Sequence, residues 1–367
     1  MSKNMYIDFH IIQTVPPSCV NRDDTGSPKT AMYGGTMRAR VSSQAWKRAM
    51  RLMFRDLFSS DQIGYRTKNA VTLVAEKIQE NNPEIEKDNA EKMSADILQL
   101  AGVKPETGKK DVLFFISSKQ IEAAAGLAQE YAAMSKEEKK KQEKNFKAKV
   151  NKALEDNPSV DILLFGRMAA SNPVLNYDAA AQVAHSISTH TISNEYDYFT
   201  AVDDCGDEDN AGAGHLGTVE FNSSTLYRYA TVNVGELAQN LEIEELKETV
   251  RGFAEAFIRS MPAGKQNTFA NRTLPDMVYA AVRDDQPVNF AGAFERPIPA
   301  GNEGYVKKSE KALREYAGSV YNNYVSEPIR SWTIGEHYED LGADYTDLNK
   351  LLDEIEETVE EYSSGKE

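Results

Sequence analysis

The segments of this chain that read as β-strands lie far apart, so any sheet they form must close over long helical stretches. Tyr6–Val15 (YIDFHIIQTV) is dense in β-branched and aromatic residues. Val160–Phe165, Thr218–Val234 and Met277–Val282 are the later strand candidates, and in Thr218–Val234 the residues Ala230, Val232 and Val234 alternate with Tyr227, Tyr229 and Thr231. Between them, spacing by three and four marks helices. Trp46, Ala49, Met50, Met53, Phe54 and Leu57 form one apolar face, and Ile243, Leu246, Val250, Phe253, Phe257 and Met261 form another. Ala179–Ser186 and Tyr305–Tyr324 also read as helical. Ser18–Gly35, after Pro16-Pro17 ends the first strand, reads as a turn-rich loop. Ser42 or Ser43 is placed to cap a helix beginning near Gln44. The order β-α-(helical insert)-β-α-(excursion)-β-α-β predicts an α+β fold rather than a doubly wound sheet. A split sheet of the ferredoxin or RNA-recognition (RRM) type, interrupted by two insertions, satisfies it.

The 367 residues suffice for one large domain or two modest ones, with 41 % hydrophobic and 27 % charged residues, as in soluble globular chains. No apolar run approaches the roughly 20 residues that span a bilayer, and the N-terminus leads straight into strand-like sequence without a secretory signal. Cys19 and Cys205, far apart and without CxxC spacing, suggest neither a disulfide framework nor a zinc site. The expected location is the cytoplasm, with no membrane association.

A net charge of −15 argues against a nucleic-acid partner until its distribution is read. Between Glu336 and Glu361 eleven acids stand against Lys350 alone, which carries −10 and leaves −5 for the rest of the chain. Conversely, Lys29, Arg38, Arg40, Lys47, Arg48, Arg51 and Arg55 fall in a 27-residue stretch without an acid. Lys47, Arg51 and Arg55 recur at four-residue intervals opposite the apolar face, a pattern that tracks phosphates without reading bases. Tyr33-Gly-Gly35 is expected to let backbone approach a ligand, and Ser42 and Ser43 to offer hydroxyls and helix N-terminal amides to a phosphate. A second lysine-rich segment, Lys136–Lys149, with seven lysines and three glutamates, reads as a solvated helical face.

Other patterns carry less. Gly212–Gly217 matches GxGxxG, but an acidic loop precedes it and strand-like sequence follows, so a nicotinamide site is not expected. His185, His190 and His215 lack metal-ligand spacing, and no GxSxG elbow supports a nucleophilic serine. Asp23 and Asp24 are read as loop-orienting residues, with metal-assisted phosphodiester cleavage as the competing reading. No catalytic residue, metal or cofactor is expected.

Several segments in register resemble the CasC backbone subunit of type I-E CRISPR Cascade, a Cas-seven family. They are Ser18-Cys-Val-Asn-Arg-Asp-Asp24, Tyr33-Gly-Gly35, Arg40-Val-Ser-Ser-Gln-Ala-Trp-Lys-Arg-Ala-Met-Arg51, Gly166-Arg-Met168, Ala184-His-Ser-Ile-Ser-Thr-His190, Tyr198-Phe-Thr-Ala-Val-Asp-Asp204, His215-Leu-Gly-Thr-Val-Glu-Phe221, Tyr227-Arg-Tyr229 and Gly264-Lys-Gln266. The resemblance runs in family order to about Pro297. It implies a non-catalytic subunit that lines up in several copies, six expected, along a CRISPR RNA and presents it to a target DNA strand. The partners implied are further copies of the chain and the large, small, guide-end-capping and guide-processing subunits of Cascade.

The implied parts are a palm (1–59, 159–196 and 227–335, the last with C-terminal helices), helical fingers (60–158), a projecting thumb (197–226) and an acidic C-terminal segment (336–367). Arg22, Ser42, Ser43, Gln44, Lys47, Arg48 and Arg51 are implied to lie along the guide phosphates. Met168, Phe199, Thr200 and Leu216 are implied at a kink in the RNA, with Arg167, His215, Lys265 and Gln266 as further RNA contacts. Some RNA-targeting relatives of this backbone fold cut RNA with a loop aspartate, and Asp23 or Asp24 is the matching candidate here.

Overall fold

A computed structural model describes residues 4–103, 113–201 and 216–365. In chain order the elements begin β1 (Tyr6–Ser18), β2 (Thr30–Tyr33), β3 (Thr36–Val41), α1 (Ser43–Leu57), β4 (Gly64–Thr67), α2 (Ala70–Asn81), α3 (Lys87–Leu100), β5 (Phe114–Ser117), α4 (Ser118–Ala132), α5 (Lys136–Glu155) and α6 (Val160–Phe165). They continue with β6 (Ala181–Val183), β7 (Ser186–Ser188), β8 (Glu195–Thr200), β9 (Leu216–Asn233), α7 (Val234–Leu237), α8 (Ile243–Arg259), α9 (Gln266–Phe269), β10 (Met277–Arg283), α10 (Val306–Asn323), β11 (Arg330–Ile334), β12 (Asp344–Tyr345) and α11 (Leu348–Ser363). The chain divides into two compact units, Met1–Met53 with Ala181–Glu367, and Phe54–Ala180. The division falls inside α1.

The first unit is built on one sheet in the order β12-β11-β10-β1-β9-β7-β3-β2, with β6 and β8 also paired to β9. β1 is central, antiparallel to both β9 and β10, and is buried on both faces over most of its length. Burial on both faces goes with its density in β-branched and aromatic residues, and leaves Asp8, His10 and Gln13 buried among them. On one face Phe9 packs on Phe253 and Phe257 of α8, with ring centroids 6.1 and 6.2 Å apart. On the other, His10 stacks on Phe290 at 4.3 Å and bonds the Tyr227 hydroxyl through Nδ1 at 2.9 Å. Burial lowers the pKa of His10 to about 3, so the ring stays neutral. Tyr229, Tyr279, Phe294, Leu313 and Tyr321 fill out this layer beneath α10.

The second unit has its own core of Val74, Ile78, Ile97, Leu98, Ile116, Phe146 and Leu154, with the β4–β5 ribbon at its edge. Its helix starts are well specified. Ser117 forms a capping box with Gln120, and Ser135 one with Glu138. In α5, Phe146, Val150 and Leu154 are buried while the lysines lie on the solvent side.

Several element readings are overturned. Val160–Phe165 is a helix, not a strand, because Ser159 starts it in extended backbone and Gly166 ends it at φ +76°. A six-residue run buried almost throughout gives no periodicity to separate the two. Ala179–Ser186 contains strand β6 and opens β7, not a helix; both pair with β9. The loop reading of Ser18–Gly35 misses β2, and β1 runs past Pro16-Pro17 to Ser18 with its register to β9 shifted between Val15 and Ser18. The acidic C-terminal segment is integral to the first unit. Leu351, Leu352, Ile355 and Val359 of α11 are buried, and its acids pair with α8, Glu360 with Lys247 at 2.8 Å and Asp353 and Glu356 with Arg251 at 2.7 Å each.

Candidate nucleic-acid interface

Helix α1 follows β3 without a linker, because Ser42 both leaves the strand and caps the helix. The Ser42 hydroxyl accepts from the Ala45 amide at 3.3 Å, and the Ser42 amide donates to Asn21 Oδ1 at 2.9 Å. This leaves Ser43 as the first helical residue and Gln44 exposed beside it. No acid lies in the first turn, so the positive end of the helix is uncompensated within the helix itself. Trp46, Met50 and Phe54 are buried, and Arg48 and Arg55 are exposed. Lys47 and Arg51 are half-buried; burial lowers the Lys47 pKa, which marks a cation held close to the protein surface.

The Arg22 loop lies against the start of this helix. Arg22 bridges to Pro28, the Lys29 amide donates to the Asn21 carbonyl, and the Arg40 amide donates to the Lys29 carbonyl, the last two at 2.8 and 2.9 Å. A second loop meets it from the other end of the sequence. A Cβ on Gly264 would sit 2.0 Å from the Val20 carbonyl oxygen, so only glycine permits this approach, and Lys265 follows at φ +50°. Arg22 and Lys265 both act electrostatically on the buried Cys19 thiol, whose pKa burial pushes up. Gln266, exposed, opens the one-turn α9, and Phe269 at its end packs on Phe221 of β9 at 5.8 Å. The fold thus gathers Arg22, Ser42, Ser43 and Lys265 from segments remote in sequence.

β8 and the start of β9 form a hairpin, with Tyr196 opposite Glu220, Tyr198 opposite Thr218, Phe199 opposite Gly217 and Thr200 opposite Leu216. The Phe199 ring lies over Gly217, where any Cβ would come within 2.4 Å of it. Phe199 and Thr200, adjacent in sequence, therefore face opposite sides of the hairpin. His215 lies outside the described residues, as do 202–214. β9 begins at Leu216, inside the GxGxxG segment, so a strand stands where a pyrophosphate site needs a helix. Tyr196 and Tyr198, 68 and 65 % exposed on one face, were missed; their period-two spacing was the available signal.

In the second unit Arg167 and Met168 part ways. Arg167 is buried: Nε donates to the Leu175 carbonyl at 2.7 Å, Nη2 to Leu154 at 2.7 Å, and Nη1 to Phe115 at 3.1 Å and Gln120 Oε1 at 3.0 Å. Burial lowers its pKa to about 10, so it remains charged. Met168, held between this anchor and the Ala169 amide bonded to Asn176, is 82 % exposed. As placed, Arg167 positions Met168 rather than reaching a ligand.

Two members of the basic stretch do something other than expected. Arg38 is fully buried, donating to the carbonyls of Ser188 and Phe294 at 2.9 Å each, and so adds nothing to the surface charge. Gly34 and Gly35, at φ +56° and +74°, turn β2 into β3, and a Cβ on Gly34 would lie 1.7 Å from the Glu295 carbonyl oxygen. The close approach expected toward a ligand is made to the chain's own backbone. Asp23 is the acceptor of its own loop, taking the Thr25 amide and hydroxyl at 2.9 and 2.7 Å and the Ser27 amide at 3.0 Å; these bonds lower its pKa. Among the described residues no group of three or more His, Cys, Asp or Glu is arranged to hold a metal, and no helix is long and apolar enough to cross a membrane.

The first unit is thus an α/β unit built on one large sheet, and the second is helical with a two-stranded ribbon. The chain belongs to the CT1975-like protein family, matched over residues 7–361. It is similar to a chain of a solved structure described as a CRISPR RNA-guided surveillance complex, pre-nicking, with 32 % identity and a TM-score of 0.83, covering 96 % of this chain and 100 % of that one. A chain of another CRISPR RNA-guided surveillance complex matches at 28 % identity and a TM-score of 0.62, covering 96 and 99 %. No curated protein matches.

Proposed function

We propose that this chain is the non-catalytic CRISPR RNA-binding backbone subunit of a type I-E Cascade surveillance complex, repeated along one guide RNA. The observation that carries the reading is the α1 face. Lys47, Arg48 and Arg51 stand on a helix that carries no acid before Asp56 and whose N-terminus meets the Arg22 and Lys265 loops, in a chain similar over nearly its whole length to members of CRISPR RNA-guided complexes. Such a face holds phosphates without reading sequence. Two non-glycine residues at positive φ, Lys265 and Ala270, bracket α9; backbone held this way belongs to sites where position matters more than comfort.

In this reading the palm is the β10-β1-β9-β6/β7 part of the sheet with α1 and α8, and the antiparallel pairing of β1 with both β9 and β10 supports it. The aromatic face that an RNA-recognition domain would offer is here covered by α10 and the Phe290–Phe294 turn, so the guide follows the α1 edge instead. The 60–158 segment forms the fingers and 197–226 the thumb. Met168, Phe199, Thr200 and Leu216 act at the kink, where apolar side chains wedge displaced bases and leave those between kinks stacked for pairing with target DNA. Further copies of the chain and the other Cascade subunits complete the assembly.

Salt dependence tests the grip. Lys47→Glu with Arg51→Glu is expected to weaken binding of single-stranded RNA and to lower the salt slope by about 0.7 per lost contact. An unchanged affinity and slope would remove the reading.

A further inference from the structure

We infer that Arg40 and His185 form an additional phosphate clamp for the guide strand, and that RNA taken up there carries a proton onto His185. The inference rests on the RNA-backbone reading above and adds a site to it. Arg40 sits on β3 two residues before the helix cap Ser42, and His185 immediately precedes β7, which pairs with β3 through Arg40 opposite Ile187. Arg40 Nη1 approaches His185 Nδ1 at 3.2 Å, and Arg40 Nε donates to the Thr30 carbonyl at 3.2 Å.

Arginine can only donate, so Nδ1 must accept, and the ring carries its proton on Nε2. His185 is exposed, which leaves Nε2–H as a donor beside a guanidinium whose two bonds are to neutral groups. The charged groups that weigh on His185 are Arg40 from β3 and Lys29 from the end of the Arg22 loop; with burial as the larger cause, they keep the imidazole below its ordinary pKa. Two cations crowding a histidine have no use for a third charge unless an anion joins them. A phosphodiester bridging Arg40 and Nε2–H reverses the sign of the local field; the incoming proton enters at Nδ1, the Arg40 Nη1 bond to Nδ1 breaks as Nη1 turns to the phosphate, and the imidazole then protonates at a higher pH than in the free protein. By reciprocity, RNA binds more tightly as pH falls through the histidine range.

The experiment measures affinity of the full-length chain for oligouridine, which does not titrate there, between mildly acidic and mildly alkaline pH. The wild type is expected to tighten by up to about tenfold per pH unit, the limit for one linked proton. His185→Gln is expected to lose most of that dependence. Arg40→Gln is expected to weaken binding and lower the salt slope by about 0.7 for one single-strand contact. Arg40→Lys, which keeps the charge, should restore the slope, and a purely structural Arg40 would not show that rescue. If Lys47→Glu with Arg51→Glu weakens binding while His185→Gln keeps the full pH dependence and Arg40→Gln keeps the slope, the clamp is wrong and the backbone reading stands. If none of the variants changes binding, both are wrong.

Discussion

Single residues here separate holding from positioning. Arg167 and Met168 are neighbours, yet one is an internal anchor and the other is presented to solvent. Arg167→Met removes donors from several buried carbonyls and is expected to destabilise the second unit by about 3–5 kcal/mol, read as a lower denaturation midpoint. Met168→Ala should leave that midpoint unchanged. Gly34→Ala faces both a positive φ and the Glu295 carbonyl, and should cost at least about 2 kcal/mol.

Asp8 gives a pH test. Its carboxylate, buried and bonded to the Tyr229 hydroxyl and the Val288 amide, has its pKa raised from 3.8 to about 6 by burial. The folded state therefore holds a proton that the unfolded state releases. The stabilising contribution is complete below the unfolded pKa and is lost as pH rises through about 6, a swing of roughly 3 kcal/mol. Asp8→Asn should remove this contribution from the difference in stability between pH 5 and pH 7 measured by denaturant titration (conditions about one unit either side of that value).

At the scale of elements, the acidic C-terminal segment shows how charge and burial coexist. Its acids reach Lys247, Arg251 and Arg330 at the surface, while Leu351 and Ile355 are fully buried. Ile355→Ala is expected to lower stability by about 2–5 kcal/mol, whereas Glu360→Gln should change it by less than about 1. α1 and α8 were legible because each has one wet and one dry face, which forces a period. β1 was legible from its dense β-branched and aromatic residues. α6 was not, since a helix buried nearly all round is written like a strand. β6 and β7 were not, since three-residue strands exist only by pairing with β9 and leave no periodic trace. The same limit applies within the basic stretch. Sequence shows that Arg38 is basic, but only the fold shows that the carbonyls of Ser188 and Phe294 turn it inward.

For the whole molecule, a net charge of −15 is compatible with the proposed RNA binding because the acids concentrate in α11 and its approach, and Arg22, Lys47, Arg48, Arg51 and Lys265 stand elsewhere. With Asp23 engaged by its own loop, complementary RNA incubated with the assembly and magnesium is expected to stay intact. The most direct test of the central claim is the RNA content of the chain purified after co-expression with a CRISPR RNA and its Cascade partners, read from the ultraviolet absorbance ratio and by extraction. The wild type should carry RNA of guide length, and the Lys47→Glu, Arg51→Glu variant should carry much less at equal folding. A wild-type preparation free of RNA, or a double variant that retains it in full, would contradict the account.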